Sequence, residues 1–285
     1  MFQGIVSGLA SGGAFAALGL LLTVMYRLTA TVNLAMGATG AFGVYVMAAL
    51  VENGWGYGAA AVAGVAAGAL ASVVCCLIIT RWFTESGPQS RTAVSIAQLI
   101  GLLGLAYICF GDRPRNLPNP APGEVGTIAG VVITYGTLVL IALALLIGLG
   151  TYLVLTRTAL GLRLRAMAER PVTTELLGIG TVALTLAVWA IAGALTTLIL
   201  LLVAPVRSGD ILSLTLLIVP ACAAALVGRL RWLGGSLLGG LCIGLLEGLM
   251  TNVSWIREFR DVLPFVAILL ILVWSQRGEV WDAAR

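Results

Sequence analysis

The sequence has 285 residues, of which 60% are hydrophobic and only 10% charged. This composition excludes a soluble globular protein and predicts an all-α polytopic membrane protein, because helices satisfy every backbone hydrogen bond inside lipid. All 16 basic residues are arginine and the net charge is +4, but the arginines lie at the ends of apolar runs, where membrane topology explains them, so no nucleic-acid partner is expected.

The chain contains no histidine, which excludes a histidine-dependent nucleophile, a histidine metal site and haem ligation by histidine. We therefore expect no catalytic and no metal-binding residues. The cysteines lie in apolar runs without a CxxC pair, which favours packing over redox or metal roles. They are Cys75, Cys76, Cys109, Cys222 and Cys242.

Nine apolar runs reach or approach the ~20 residues that cross a bilayer as a helix. They predict a bundle of about nine transmembrane helices, at 4–25, 30–51, 58–80, 93–110, 134–155, 182–203, 211–228, 234–251 and 262–275. No cleavable signal peptide is expected, since the first basic residue, Arg27, follows the first apolar run instead of preceding it.

Glycines recur at four-residue spacing in the first and eighth runs, a pattern that lets helix backbones approach closely. Two interpretations are open: tight packing inside one subunit, or a seam between subunits. The stripes are Gly4, Gly8, Gly12 and Gly240, Gly244, Gly248.

Polar residues interrupt several of the apolar runs. Asn33 lies early in the second run and indicates either a solute path or an interhelical hydrogen bond worth about 0.6 kcal/mol. Gln98 in the fourth run and Pro220 in the seventh are further irregularities, which fit packing or cargo contact.

The segment 111–126 holds four of the nine prolines and is predicted to be an external loop. The apolar stretch that follows it, TIAGVVIT, predicts either a short external strand or a re-entrant piece.

The segment 156–181 is the longest polar interruption in the chain. In it Leu160, Leu164 and Met167 recur at helical spacing while Arg163 lies on another face, which predicts a short amphipathic helix that ends before Pro171. A second short helix is predicted over 173–177, with Gly178 as its carboxyl-terminal cap. The apolar stripe suits either a groove in a soluble partner or the membrane surface.

Glu247 is the one acidic residue well inside an apolar run. An intramembrane carboxylate is a candidate functional group, although Glu247 lies near the end of its run and could instead pair with Arg257 or Arg260.

The arginine distribution predicts the topology. With the amino terminus outside, eleven arginines are cytoplasmic and five are external, whereas the opposite orientation inverts that ratio. The external five are Arg113, Arg115, Arg207, Arg257 and Arg260. We therefore expect a cytoplasmic carboxyl terminus.

Four stretches in order resemble the permease subunits of bacterial branched-chain amino acid ABC importers. TALGLRLRAMAERPVTTELLGIGT looks like the family's cytoplasmic coupling loop. The amino-terminal GIVSGLASGGAFAALGLLLTVMYRLTATVNLAMGATGAFGVYV is similar to its first two segments. ALVGRLRWLGGSLLGGLCIGLLEG resembles its glycine-rich late helix, and DVLPFVAILLILVWSQRGEVW its closing helix and tail.

The resemblance implies that residues 1–285 form a single transmembrane permease domain of an ATP-driven importer in a prokaryotic cytoplasmic membrane. It implies two ATP-binding subunits, a second permease (a homologue or a copy) and an external solute-binding protein, besides membrane lipid. Loop 156–181 would couple the ATPase through Leu160, Arg163, Leu164, Met167, Ala168, Glu169 and Gly178. ATP and Mg would be bound by the partners, because a chain without lysine has no P-loop and is expected not to be an enzyme.

The sequence departs from the family in two places. Where the family commonly has Asn-Phe-Ala-His-Gly, this chain reads Asn33-Leu34-Ala35-Met36-Gly37, and its tail reads Ser275-Gln276-Arg277-Gly278 without the usual Arg-Pro pair. The first departure makes the path less polar, so a bulkier or more apolar cargo than a branched-chain amino acid is also plausible. Candidate path residues are Asn33, Met36, Gly37, Gln98, Pro220 and Glu247.

Two rival classes are weaker. A secondary transporter or channel without ATPase partners needs coupling groups at mid-depth, and the chain offers one marginal glutamate. An intramembrane aspartyl protease would need its aspartates inside the membrane, but Asp112 and Asp210 fall at helix edges or in loops. Neither class explains the long structured loop.

Overall fold

The computed structural model describes residues 2–83, 86–115, 117, 119, 123–128, 131–205, 209–251 and 257–282. Within these ranges the chain is predominantly helical. The helices are α1 (Phe2–Thr29), α2 (Met36–Glu52), α3 (Tyr57–Trp82), α4 (Pro88–Phe110), α5 (Tyr135–Arg157), α6 (Ala159–Glu169), α7 (Pro171–Leu176), α8 (Thr181–Val203), α9 (Ile211–Leu216), α10 (Ile218–Val227), α11 (Leu233–Met250) and α12 (Leu263–Asp282). A 3₁₀ helix spans Arg257–Val262.

Six helices in the described part are long and apolar enough to cross a membrane: α1, α3, α4, α5, α8 and α11. The other three predicted spans correspond to shorter apolar helices, Met36–Glu52, Ile211–Val227 and Leu263–Trp274. The second span is shorter than the predicted 30–51 because its helix begins only at Met36, and the seventh is divided at Leu217. The prediction of an all-α polytopic membrane fold is confirmed, with the bounds of these elements corrected.

Helix α1 lies in the centre of the bundle and contacts α5, α8, α10 and α11. Phe15, Leu18, Leu22 and Met25 on it are fully buried. A helix that is apolar all round suits either a protein interior or lipid, and α1 has almost no amphipathic character. By contrast, α4 and α5 expose most of their large apolar side chains, as expected of helices that face lipid or another membrane subunit.

The two glycine stripes pack against each other. A Cβ added at Gly8 would lie 2.6 Å from the carbonyl oxygen of Gly244, and one added at Gly12 would lie 3.1 Å from the Cα of Leu241. A Cβ on Gly244 or Gly248 would overlap the backbone of α1. The α1–α11 seam is therefore formed by direct backbone contact inside one subunit, which confirms the first of the two interpretations.

A second close contact joins α2, α3 and α8. A Cβ on Gly43 would lie 2.6 Å from the Gly64 carbonyl oxygen, and one on Gly193 would lie 2.7 Å from that of Gly68. At the same level the buried Ser72 hydroxyl donates to the Trp189 carbonyl at 2.7 Å. Small residues thus allow a polar tie between α3 and α8 as well as close packing.

An antiparallel hairpin precedes α5. Strand β1 (Glu124–Ile128) pairs with β2 (Val131–Thr134), with Thr127 opposite Val132 and an irregularity between Glu124 and Gly126. The strand interpretation of the TIAGVVIT stretch is therefore confirmed for its described residues.

Arg115 connects the loop after α4 to α2. Its guanidinium lies 2.6 Å from the Glu52 carboxylate and about 5.8 Å from the centroid of the Tyr45 ring. The Tyr45 hydroxyl donates to the Gly209 carbonyl at 2.7 Å. These contacts hold together the end of the bundle opposite to α6 and α7.

Candidate functional site: an interrupted interior, a chamber and the α6–α7 loop

The chain crosses the interior in non-helical conformation between α1 and α2. Ala30 has φ 52°, residues 31–33 belong to no helix or strand, and Thr31, Asn33 and Ala35 are buried. Irregular backbone at membrane depth is tolerated only where protein or a cavity provides hydrogen-bond partners.

Ser95 of α4 provides those partners. Its hydroxyl accepts from the Leu34 amide at 3.3 Å, and its single proton lies within reach of two acceptors, the Val32 carbonyl at 3.0 Å and the Thr92 carbonyl of α4 at 2.7 Å. The Asn33 amide nitrogen lies 3.8 Å from the sulfur of Met25, and within the described residues its Oδ1 has no hydrogen-bond partner. Sequence reasoning did not identify Ser95, because its partners lie more than sixty positions away and no local sequence pattern predicts such a contact.

The amino-terminal end of α2 contacts the break between helices α9 and α10. A Cβ on Gly37 would overlap the Thr215 carbonyl and would lie 3.1 Å from the Cβ of Ile218. The amino-terminal end of α2 therefore lies against the carboxyl-terminal end of α9. Pro220 sits in the first turn of α10, where its missing N–H costs no helical hydrogen bond.

The six candidate path residues fall into three groups. Asn33, Met36 and Gly37 are buried at the junction just described and line neither of the two described cavities. Gln98 is half-buried in α4 and ties it to α3, with Nε2 donating to the Cys75 carbonyl at 2.9 Å. Pro220 and Glu247 line the larger cavity, so the structure brings together two of the six.

That cavity, called the chamber below, has a volume of about 670 Å³. It lies between α1, α5, α8, α9, α10, α11 and α12. Thr134, Gly136 and Thr251 lie beside the hairpin and at the end of α11, whereas Phe15 is about half-way along α1 and Pro220 about half-way along the apolar span Ile211–Val227 that α9 and α10 form together. Because α5 ends and α11 begins at the α6–α7 end of the bundle, the chamber extends from the opposite end towards mid-depth.

The chamber walls are mostly apolar and carry a few hydroxyl groups. Ser11, Thr137 and Ser213 contribute hydroxyls, and Glu247 contributes a carboxylate from a side chain that is 8% exposed. Arg260 of the 3₁₀ helix lines the chamber too, whereas the side chain of Arg257 lies outside the described residues. Convergent polar groups in a largely apolar cavity of this size are typical of small-molecule sites.

The loop after α5 folds as two short helices that pack beneath the bundle. The Thr158 hydroxyl caps α6 by accepting from the Gly161 amide at 3.0 Å, and α6 ends at Glu169 just before Pro171. Helix α7 follows, and Gly178, with φ 79°, turns the chain towards α8. Both predicted short helices and the glycine cap are confirmed, with the second helix beginning two residues earlier, at Pro171.

The predicted apolar stripe of α6 is not open to a partner. Leu164 and Met167 are only 6% and 4% exposed and form a cluster with Leu28 and Leu155 at the ends of α1 and α5. Gly161 permits this contact, since a Cβ there would lie 2.6 Å from the Cα of Leu155. The expectation that these two side chains face a partner's cleft is therefore wrong, because the chain's own helix ends cover them.

A different face of the loop is exposed. Leu176 and Leu177 are 84% and 73% exposed, and Val172 and Leu162 lie open as well. Arg163 and Glu169 are also exposed, Leu160 is about half exposed, and Ala168 is partly buried. Sequence reasoning missed the apolar face of α7; the signal available was the Leu-Leu pair directly before the Gly178 cap.

The sequence profile described as "Branched-chain amino acid transport system / permease component" matches residues 4–272. The chain is 25% identical over 295 residues to the High-affinity branched-chain amino acid transport system permease protein BraD of Pseudomonas aeruginosa, covering 97% of this chain and 94% of that protein. A shorter match, 36% identical over 120 residues, is to the Probable branched-chain amino acid transport permease protein LivH of Methanocaldococcus jannaschii, covering 39% of this chain and 35% of that protein.

Among solved structures, PsaBC from Streptococcus pneumoniae in complex with Fab is similar with a TM-score of 0.49 and 11% identity, over 95% of this chain and 90% of that chain. The family profile covers all but the two ends of the chain. The apolar helices of the chain suit a multi-pass protein of the inner membrane. The chain therefore belongs to the permease components of branched-chain amino acid transport systems, which are not themselves enzymes.

Proposed function

We propose that the chain, as one permease domain, forms half of the solute path of an ATP-driven importer for branched-chain amino acids or a related small organic solute. The printed names of the two relatives support this cargo class. The full complex then contains two ATP-binding subunits, which hold ATP and Mg, a second permease subunit and an external solute-binding protein.

The proposed coupling role rests on the exposed apolar face of α7. Val172, Leu176 and Leu177 project from a loop whose other side is packed on the bundle. Burying each such side chain in a partner's cleft contributes roughly 1.5–3 kcal/mol, so the three together supply a substantial part of the free energy that would hold a soluble ATPase on the membrane. Exposed arginine pairs contribute only about 0–1 kcal/mol each.

The inner face of the loop gives the coupling its mechanical path. Leu164 and Met167 contact the ends of α1 and α5, and the Thr185 hydroxyl of α8 lies 3.5 Å from the Met167 sulfur. A displacement of α6 by the ATPase therefore reaches three membrane helices directly. In this proposal Leu164 and Met167 transmit the motion and the α7 face binds the partner.

Leu176→Asp tests the docking role. The exposed position tolerates the charge within the chain, so the permease should fold normally while the ATPase is lost from the purified complex. In proteoliposomes, solute-stimulated ATP hydrolysis should fall roughly tenfold or more, because a desolvated charge opposes docking. Arg163→Ala is the matched control on the same loop and should change it less than about fivefold.

Retention of the ATPase by the Leu176 variant would instead assign this face to the lipid surface. Uptake by the unaltered complex that needs no ATP would favour the rival class, a secondary transporter or channel.

The proposed orientation places the amino terminus outside and the α6–α7 loop and carboxyl terminus in the cytoplasm, following the arginine distribution. Single cysteines at Asn119 and Thr173 should react with an impermeant thiol reagent from opposite sides of the membrane. Reaction of both from one side contradicts this topology, and reaction of Thr173 alone from outside inverts it.

A further inference from the structure

The turn between α10 and α11 is held in one arrangement by its own backbone. The four amides from 229 to 232 all donate hydrogen bonds, either to carbonyls in the last turn of α10 or to the carbonyl of Gly228. A Cβ on Gly228 would overlap atoms in the first turn of α11, so the turn also packs directly on that helix. Side chains on this turn therefore start from fixed backbone positions.

Two consecutive residues of this turn have a left-handed backbone. Arg229 and Leu230 have φ 51° and 55°, a conformation that is unfavourable for residues with a side chain and needs support from the surrounding structure. In this conformation the half-buried Leu230 packs against the core, while Arg229 and Arg231 on either side of it are exposed. Trp232 is 65% exposed. The turn thus presents two guanidinium groups and an indole ring on its outer surface.

Trp274 of α12 restricts the position of one of these guanidinium groups. The Arg229 guanidinium lies over the Trp274 ring, 5.9 Å from its centroid, a contact in which the ring face attracts the cation. Within the described part of the chain, neither Arg229 nor Arg231 donates a side-chain hydrogen bond to another residue. Because an arginine side chain stays protonated in proteins, both positions present a charged fork of N–H donors.

The turn lies at the edge of the bundle, beside the end of an apolar span. Helix α12 packs mainly on α10, and its side chains Phe265, Leu269 and Val273 are exposed. Trp274 is 70% exposed and ends this apolar span. An apolar face outside a membrane bundle contacts lipid or another subunit, and a tryptophan beside arginines at its end favours lipid, because these residues are enriched at the level of the headgroups.

The sequence around the turn gives it an unopposed positive charge. No acidic residue occurs between Asp210 and Glu247, and both of these lie towards the opposite end of the bundle. The apolar part of α12, Leu263–Trp274, has no charged residue. Arginines close to a membrane surface attract anionic lipids, and the planar guanidinium matches the oxygen atoms of a phosphate. Charge and position together therefore fit the headgroup of an anionic phospholipid.

We propose that the turn 228–232 is a binding site for an anionic phospholipid, whose phosphate is bound by Arg229 and Arg231. The indoles of Trp232 and Trp274 contact the glycerol backbone and the upper part of the acyl chains. With the proposed orientation this lipid belongs to the cytoplasmic leaflet. The site concerns the attachment of the permease to its membrane and does not depend on which solute is transported.

The first test uses the full-length permease in detergent and measures, by native mass spectrometry, the retention of phosphatidylglycerol relative to phosphatidylcholine with the same acyl chains. Arg229→Gln and Arg231→Gln should each lower this preference roughly fivefold, because each removes one charge next to the phosphate. Arg157→Gln is the matched control. It removes an exposed arginine at the same end of the bundle, in the last turn of α5, and should change the preference less than about twofold.

Trp274→Leu provides an arm that leaves the charge unaltered. It keeps the apolar face of α12 but removes the ring under Arg229, and the preference for phosphatidylglycerol should fall roughly two- to threefold. An unchanged preference in both arginine variants overturns the proposal. An equal loss in Arg157→Gln and Arg231→Gln also overturns it, because the lipid then responds to the total charge of this end and not to a site.

A second test separates the lipid from other partners of the same turn. Inorganic phosphate added in excess should not displace phosphatidylglycerol, and displacement would overturn the lipid in favour of a soluble phosphate ligand. In the assembled complex, the double variant Arg229→Gln/Arg231→Gln should retain its ATP-binding subunits and its second permease. Loss of either subunit together with an unchanged lipid preference overturns the proposal and assigns the turn to a contact between proteins.

Discussion

The α1–α11 seam and the α6–α7 loop are both marked in the sequence by residues at helical spacing, which are glycines in the seam and apolar side chains in the loop. The two patterns differ in how narrowly they specify the surface that packs against them. In the seam, glycines face glycines, and a Cβ at Gly8 would already lie 2.6 Å from the Gly244 carbonyl oxygen. In the loop, the Leu164 and Met167 side chains face large residues at the ends of α1 and α5. A glycine stripe specifies its neighbour narrowly, because only another backbone can come close enough to fill the space that the absent side chains leave. An apolar side chain is less selective, because any apolar surface can bury it.

Gly244→Leu tests the seam and has the larger expected effect. Its side chain would collide with the backbone of Gly12, and backbone cannot rotate away, so the loss of stability should reach or exceed the roughly 3 kcal/mol upper end usual for overpacking. Size-exclusion profiles and melting temperatures in detergent measure it.

The matched control for the seam is Gly101→Leu. Gly101 lies in α4 with no neighbouring atom within 4 Å of an added Cβ, so the same change should leave stability nearly unaltered. Equal stability of the two variants would show that α1 and α11 do not approach closely.

Leu164→Ala tests the loop and has the smaller expected effect. It removes most of a side chain that is 94% buried by its own subunit, at a cost of about 2 kcal/mol, the lower end for a core leucine, because the cluster at the bundle end can partly collapse. The cost should be present in the isolated permease. Leu162→Ala, on the exposed face of the same helix, should cost almost nothing.

A Leu164→Ala variant that is stable alone but cannot retain the ATPase would reverse the assignment of the two faces. The comparison between seam and loop would then fail, since the α6 stripe would be covered by another chain.

The sequence predicted most elements because apolar length and proline or glycine punctuation are local properties. Helix α6, its end before Pro171 and the Gly178 cap follow from residues within a few positions of each other. The start of α2 at Met36 was not predicted, because the hydroxyl of Ser95 in α4, far away in the sequence, hydrogen-bonds the non-helical segment that precedes it. The chamber also depends on contacts between helices that are far apart in the sequence, because its wall includes both Phe15 and Glu247.

The seam between α1 and α11 also sets the order of events during synthesis. The two helices are separated by more than two hundred residues, and ribosomes add roughly 5–20 residues per second. The first helix thus enters the bilayer on the order of ten seconds before its glycine-matched neighbour exists. During that interval the glycine face of α1 has no α11 to pack against and contacts lipid or the insertion machinery instead. We therefore expect the amino-terminal helix to depend on the insertion machinery or a chaperone more than later segments do.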